Sequence, residues 1–164
     1  MATGKSTLAK LLAEELACQC IDTDQEISNI MGLSISDIFE LNGEDYFRKM
    51  ESKFLLSAIH YPGDMVLSTG GGMACDQDNR DIMLHNGIVI WIKTPVDILI
   101  DRLWNERANR PLVSRFSERS GFEDFVNKHY SERLSCYNWA PYTVQGELST
   151  LEVLSQCKSI IEKH

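Results

Sequence analysis

At 164 residues, 43% hydrophobic and 24% charged, the chain has the composition of one soluble globular domain and is short for two. A net charge of −8 argues against a nucleic-acid or anionic-membrane surface. With no run of about 18 apolar residues and no segment that reads as a signal peptide, the expected setting is the cytoplasm, without membrane or nucleic-acid partners. The five cysteines, Cys18, Cys20, Cys75, Cys136 and Cys157, are odd in number and scattered, and the four histidines lack metal-ligand spacing. Reduced, structural thiols are expected.

Thr3-Gly4-Lys5-Ser6-Thr7 opens into an amphipathic run, Leu8, Leu11, Leu12 and Leu16, which places Gly-Lys-Ser at a helix N-terminus. Unpaired N–H groups and the positive end of the helix dipole favour a phosphate there, with an ammonium from Lys5 and a hydroxyl from Ser6 for Mg²⁺. This is the back half of a P-loop. The pattern's first glycine and the strand that leads into it are expected upstream of Met1.

Cys18–Ile21 reads as a short strand ending in Asp22-Thr23-Asp24, with a helix over Gln25–Met31 stopped by Gly32. Two acids at a strand's C-terminal end could face bound phosphates. Asp24 could equally be the cap of the next helix. Helices are predicted over Ser34–Leu41 and Glu44–Ile59, the second with Arg48 and Glu51 as an i,i+3 pair whose usual meaning is a solvated surface contact. Met65–Ser68 reads as a strand emptying into Thr69-Gly70-Gly71-Gly72, where a backbone must approach something closely or take positive φ. A helix over Asp76–His85, a fully buried strand over Ile88–Ile92 and a helix over Val96–Trp104, started by Thr94-Pro95, follow.

Between Asn105 and Gly121 the apolar periodicity disappears, and Arg107, Arg110, Arg115 and Arg119 gather around Pro111. This pattern suits a mobile lid that closes over phosphates. A long helix over Phe122–Ala140, a strand over Tyr142–Val144 and a helix over Thr150–Lys163, opened by the capping box Ser149-x-x-Glu152, complete the chain. The alternation predicts a three-layer α/β/α sandwich on a parallel sheet, as one domain spanning 1–164.

Taken together these motifs resemble the shikimate kinases over nearly the whole chain. Ile21-Asp22-Thr23-Asp24 resembles the family's acidic strand end, Phe47-Arg48-Lys49-Met50-Glu51 its F-R-x-x-E helix, and Ser68–Gly72 its glycine stretch. Asn109-Arg110-Pro111-Leu112 resembles the lid's R-P-L, and Arg133-Leu134-Ser135-Cys136-Tyr137 the R-x-x-x-Y helix. The resemblance implies a P-loop, nucleoside-monophosphate-kinase-like fold with a lid over about 105–121. It also implies a monomer that uses ATP and Mg²⁺ to phosphorylate the 3-hydroxyl of shikimate.

On that resemblance, Gly4, Lys5, Ser6 and Thr7 would hold the ATP phosphates. Ser6 would ligate Mg²⁺, with Asp22 supporting it through water, and Asp24 would orient or deprotonate the attacking hydroxyl. Arg48 and Arg133 would grip the substrate carboxylate, with Glu51 aiming Arg48, and Gly71 and Gly72 would offer backbone N–H groups. Arg110 would clamp the transferring phosphoryl, and Arg102 or Arg107 would lie against adenine. Lys49 departs from the family, which often carries a second arginine there. Gluconate kinase, a nucleotide kinase or a non-catalytic nucleotide-binding module are the alternatives, and the two kinases do not explain Arg48 and Arg133 beside a triple glycine.

Overall fold

The computed structural model describes residues 2–107 and 111–164. Nine helices and four strands are found among them: α1 (Lys5–Glu15), β1 (Gln19–Asp22), α2 (Thr23–Met31), α3 (Ile35–Asn42), α4 (Glu44–Ala58), β2 (Met65–Ser68), α5 (Gln77–Asn86), β3 (Ile90–Lys93), α6 (Val96–Asn105), α7 (Pro111–Ser114), α8 (Arg119–Leu134), β4 (Tyr142–Gln145) and α9 (Thr150–Ile161). A 3₁₀ turn, Met73–Cys75, joins the glycine stretch to α5.

All strand pairing is parallel. β1 pairs with β2, setting Gln19 opposite Met65 and Asp22 opposite Ser68; β3 pairs with β4, setting Ile90 opposite Tyr142 and Lys93 opposite Gln145. Among the described residues these are separate two-stranded sheets, and β2 does not pair with β3. Instead both line a cavity of about 950 Å³, together with Leu8 and Leu12 of α1, Leu103 of α6 and Val126 of α8. The parallel α/β reading therefore holds, with the sheet in two halves. This explains why Ile90, Trp91 and Ile92 are only half-buried although their sequence reads as a central strand.

Three apolar clusters hold the helices. Leu8 and Leu12 of α1, Val144 of β4 and Val153, Leu154 and Cys157 of α9 form one; Ile27, Ile38 and Phe47 join α2, α3 and α4 in a second. Ile100, Leu103, Val113, Phe122 and Val126 form the third. Val113 is fully buried and Phe116 packs against the same cluster, so the segment expected to lack apolar anchoring contributes to a core. Its side chains come from irregular spacings but meet α6 and α8 in space. Arg119, Ser120 and Gly121 also belong to α8 rather than to a loop.

Several boundaries differ for visible reasons. α8 ends at Leu134, and the chain turns through Ser135–Trp139 where a continuous helix to Ala140 was expected. Asp22, not Asp24, caps α2: its Oδ1 accepts from the backbone N–H groups of Asp24 and Gln25. Thr94 does not cap α6, whose N-cap is Pro95; its side chain is instead fully buried. The capping box of α9 is present as expected, with Ser149 and Glu152 satisfying each other's backbone donors. Among the described residues no helix is long and apolar enough to cross a membrane.

Candidate active site

Parallel pairing with Asp22 opposite Ser68 brings the C-terminal ends of β1 and β2 side by side, so the segments that follow them, Thr23-Asp24 and Thr69–Gly72, emerge together. Thr23 is fully buried, and its Oγ1 accepts from the N–H of Gly70 at 2.8 Å, fastening one segment to the other. Asp22 Oδ2 accepts from Ser6 Oγ at 2.7 Å and from Ser68 Oγ at 3.0 Å, which adds the start of α1 to the same edge. Burial alone would raise the Asp22 carboxyl. The two serine hydrogen bonds and the Lys5 ammonium outweigh it and hold the group below the usual carboxylate range.

Gly4 precedes α1 in the left-handed region, with φ 79°, a conformation that glycine alone adopts at little cost. α1 has neither a side-chain cap nor an acid in its first turn, whereas α2, α3, α5 and α9 are capped by Asp22, Ser34, Asp76 and Ser149. Its uncapped amides, together with Lys5, make a place for phosphate oxygens. Because Asp22 takes the capping role, the carboxylate of Asp24 is turned to another use. It lies half-buried over Gly70, where burial, reinforced by Asp22, pushes its pKa up against the pull of Lys5 and Arg48.

The acceptor side is built from α4, the glycine stretch and the end of α8. Glu51 is fully buried, and Arg48 Nη1 donates to its Oε2 at 2.5 Å; Arg48 Nε and Nη2 donate to Glu44 Oε1 at 3.2 and 2.7 Å. The i,i+3 pair is therefore part of the interior, not the solvated contact its spacing suggests. Burial pushes the Glu51 carboxyl up despite Arg48, and its Oε1 has no hydrogen-bond partner among the described residues.

The glycines explain themselves against these side chains. A methyl on Gly72 would overlap the Arg48 guanidinium, and one on Gly70 would overlap Asp24 and Glu51. One on Gly71 would lie 3.4 Å from Arg133 Nη1 and 3.3 Å from the Tyr137 hydroxyl. Tyr137 donates to the Gly71 carbonyl at 2.8 Å, with its ring against Trp91. Arg48 and Arg133, remote in sequence, thus face neighbouring glycines. Among the described residues no carboxylate is hydrogen-bonded to Arg133, although its charge acts on Glu44 and Glu51.

The remaining arginines divide. Arg102 donates to the carbonyls of Ala2, at 3.5 Å, and Gly146, at 3.2 Å, so it buttresses the start of the chain. Arg107 lies 4.1 Å over the Trp104 ring and donates to the Trp104 carbonyl. Arg115 covers the rings of Phe116 and Phe125, and Arg119 pairs with Asp101 and Glu123. Arg115 and Arg119 are thus engaged at the surface of the α6–α8 cluster. Arg110 lies outside the described residues.

Ser68, Thr23 and Glu44 carry hydrogen bonds that sequence reasoning did not assign. Glu44 was findable as an i,i+4 partner of Arg48. Ser68 and Thr23 depend on strand register and leave no local signal. The expectation of five reduced thiols is corrected: Cys75 and Cys136 are disulfide-bonded, with Cα atoms 4.6 Å apart, while Cys18, Cys20 and Cys157 are free. The pair comes together only because the glycine stretch folds against the end of α8.

A parallel α/β fold with Gly-Lys-Ser at an uncapped helix start, and two acids, Asp22 and Asp24, at the end of β1 beside it, defines a P-loop phosphotransferase. The family model described as shikimate kinase matches residues 1–162, and the chain belongs to that family. It is 35% identical over 150 residues to the shikimate kinase of a Sulfurihydrogenibium species, covering 92% of this chain and 86% of that one. It is 33% identical to the enzyme of Aquifex aeolicus, over 95% of this chain and 88% of the other. The crystal structure of shikimate kinase from Bacteroides thetaiotaomicron superposes with a TM-score of 0.90 at 28% identity, covering 99% of this chain and 94% of that one. The Acinetobacter baumannii enzyme in complex with shikimate superposes at 0.78 and 28% identity, over 99% and 89% of the two chains. The chain is accordingly an ATP-dependent kinase that phosphorylates shikimate.

Proposed function

We propose a division of labour for this reaction. The convergence of Arg48 and Arg133 on Gly72 and Gly71 carries it, because two guanidinium groups over a bare backbone suit a planar carboxylate on a small ring. Arg48, held by Glu44 and Glu51, is the fixed jaw of that grip, and Arg133 the jaw whose donors are taken up by the ligand. Asp24 lies over Gly70, the next glycine of the stretch, and orients the attacking 3-hydroxyl or accepts its proton; its raised pKa brings it nearer to a working base than an ordinary aspartate. The amides of Gly4 through Thr7 and the Lys5 ammonium hold the β- and γ-phosphates. From the sequence, Arg110 closes on the transferring phosphoryl, and Arg107 and Arg102 lie on the adenine side.

Mg²⁺ fits the oxygens at this edge. Ser6 Oγ and the anionic Asp22 are hard donors 2.7 Å apart. The described residues hold no cluster of three or more His, Cys, Asp or Glu side chains. One or two protein oxygens, completed by phosphate and water, is how Mg²⁺ is usually bound in phosphoryl-transfer sites. When bound, the ion neutralises charge developing on the β- and γ-phosphates. What the chain itself supplies is the Ser6 ligand and the hydrogen-bonded orientation of Asp22.

The slot lined by β2 and β3, with apolar side chains from both, supports a single domain in which the two half-sheets share one cavity. A net charge of −8 fits a cytoplasmic monomer without nucleic-acid or membrane partners. The test of the assignment is ADP release with ATP, Mg²⁺ and shikimate, against gluconate and nucleoside monophosphates as acceptors. Release with shikimate alone is expected; equal release with another acceptor would remove the grip as the source of specificity.

A further inference from the structure

The Cys75–Cys136 disulfide joins the two walls of the acceptor pocket. Cys75 closes the 3₁₀ turn directly after Gly72, and Cys136 lies between Arg133 and Tyr137. Two hydrogen-bonded ties accompany it: Tyr137 to the Gly71 carbonyl at 2.8 Å, and Trp139 Nε1 to the Ala74 carbonyl at 3.2 Å. Arg80 braces the turn, donating to the carbonyls of Ala74 and Cys75 while its guanidinium lies over the Trp139 ring. Only the disulfide is covalent, and Cys75 is exposed to solvent, within reach of an external thiolate.

From this we infer that Cys75–Cys136 is a redox-modification site that sets how firmly the glycine stretch and Arg133 are held together for the substrate carboxylate. The inference rests on the reading that Arg48 and Arg133 grip that carboxylate. In the reduced direction a dithiol is the co-reactant. Its thiolate attacks the Cys75 sulfur, the S–S bond breaks, and Cys136 leaves as a thiolate that takes up a proton. The second thiol of the reagent then displaces Cys75, so the protein gains two S–H bonds and the dithiol is oxidised to its disulfide. Oxidation reverses these steps with a low-molecular-weight disulfide as acceptor. Because the Tyr137 and Trp139 ties survive reduction, the pocket loosens rather than unfolds. The free enzyme must then restore the alignment of Arg133 on binding, and that ordering cost appears in the KM for shikimate.

The enzyme, equilibrated with dithiothreitol or with oxidised glutathione, is assayed with each substrate varied, and its free thiols are counted by alkylation and mass spectrometry. Three thiols are expected in the oxidised form and five in the reduced. The KM for shikimate should rise about three- to tenfold on reduction, the effect of re-ordering one long side chain, with the KM for ATP unchanged. Cys75→Ser should show the reduced value in both conditions. Five thiols after glutathione disulfide, or a redox response that persists in Cys75→Ser, would overturn the inference. So would a shikimate KM that Arg133→Ala raises but that is identical in the two redox states. Failure of the underlying grip has its own signature, Arg133→Ala leaving that KM unchanged in the oxidised enzyme.

Discussion

The proposed acceptor side and the proposed nucleotide side of this site are built on opposite plans. Around the glycine stretch, side chains from α4, the 3₁₀ turn and the turn after α8 hold the site: Arg48 between Glu44 and Glu51, Tyr137 on Gly71, and Cys75 bonded to Cys136. Around the start of α1 lie uncapped backbone amides and an ammonium, beside a 950 Å³ slot where the two half-sheets fail to meet and which Gly70, Gly71 and Arg133 also line. On the proposed reading, a carboxylate of fixed shape would meet a preorganised cradle. A flexible polyphosphate would meet an uncapped helix terminus. Mutations should separate the two, because on the acceptor side one of the two arginines, Arg48, also holds a buried partner, Glu51.

The largest separation is expected at the two jaws. Arg48→Ala and Arg133→Ala should each weaken shikimate binding by about 2–5 kcal/mol, with ATP binding nearly intact. Only Arg48→Ala should also cost stability, by about 3–5 kcal/mol, because it strands the buried Glu51. Arg133→Ala should stay within about 0.5 kcal/mol of the parent in a thermal melt. Equal losses of stability in both variants would show that the two jaws are not built differently.

Lys5→Ala probes the other side. Losing one charge-assisted contact should weaken ATP binding by about 1.5–3 kcal/mol and leave the shikimate KM alone, as measured by titration calorimetry and steady-state kinetics. A shift in the shikimate KM of similar size would mean that the two halves are coupled in the resting enzyme.

How far the sequence reveals this contrast follows from range. Gly4-Lys5-Ser6 and the capping box at Ser149 are local patterns, and both are found where their spacing puts them. Arg48 and Glu51 are visible as a pair, but their burial is decided by the glycine stretch from β2, so a surface reading was the natural one. The Asp22–Ser68 and Thr23–Gly70 contacts exist only once the register of β1 on β2 is known. Val113 and Phe116 misled for a related reason: irregular spacing hides a core position when the partner helices, α6 and α8, lie on either side in sequence.

A smaller effect is expected at Gly72. The added methyl of Gly72→Ala meets the far end of the Arg48 side chain, which can shift, rather than backbone. The displaced guanidinium should raise the shikimate KM by the equivalent of about 1–3 kcal/mol, the usual cost of overpacking, and leave the KM for ATP unchanged. An unchanged shikimate KM would show that the position of Arg48 in the resting enzyme is not the one that binds substrate.

The gentlest probe is pH, where neighbouring carboxyls should pull stability in opposite directions. Asp22 is held below its ordinary value, so its folded form prefers the ionised state. Its contribution is present above pH about 4 and is lost as pH falls through its depressed folded pKa. Asp24 and Glu51 are raised, chiefly by burial, so their folded forms prefer the proton. In the window just above the ordinary carboxyl range, the native state therefore binds more protons than the unfolded chain, and stability falls as pH rises through it. Glu51→Gln removes one of these two groups while keeping a polar side chain of the same shape. Its unfolding free energy, measured by denaturant titration from pH 4 to 7, should decline less steeply with rising pH than that of the parent. Asp22→Asn should do the reverse, removing stability at neutral pH and flattening the loss on acidification. Parallel pH profiles for Glu51→Gln and the parent would mean that the buried carboxyl is as readily ionised as an exposed one, and that Arg48 alone governs its charge.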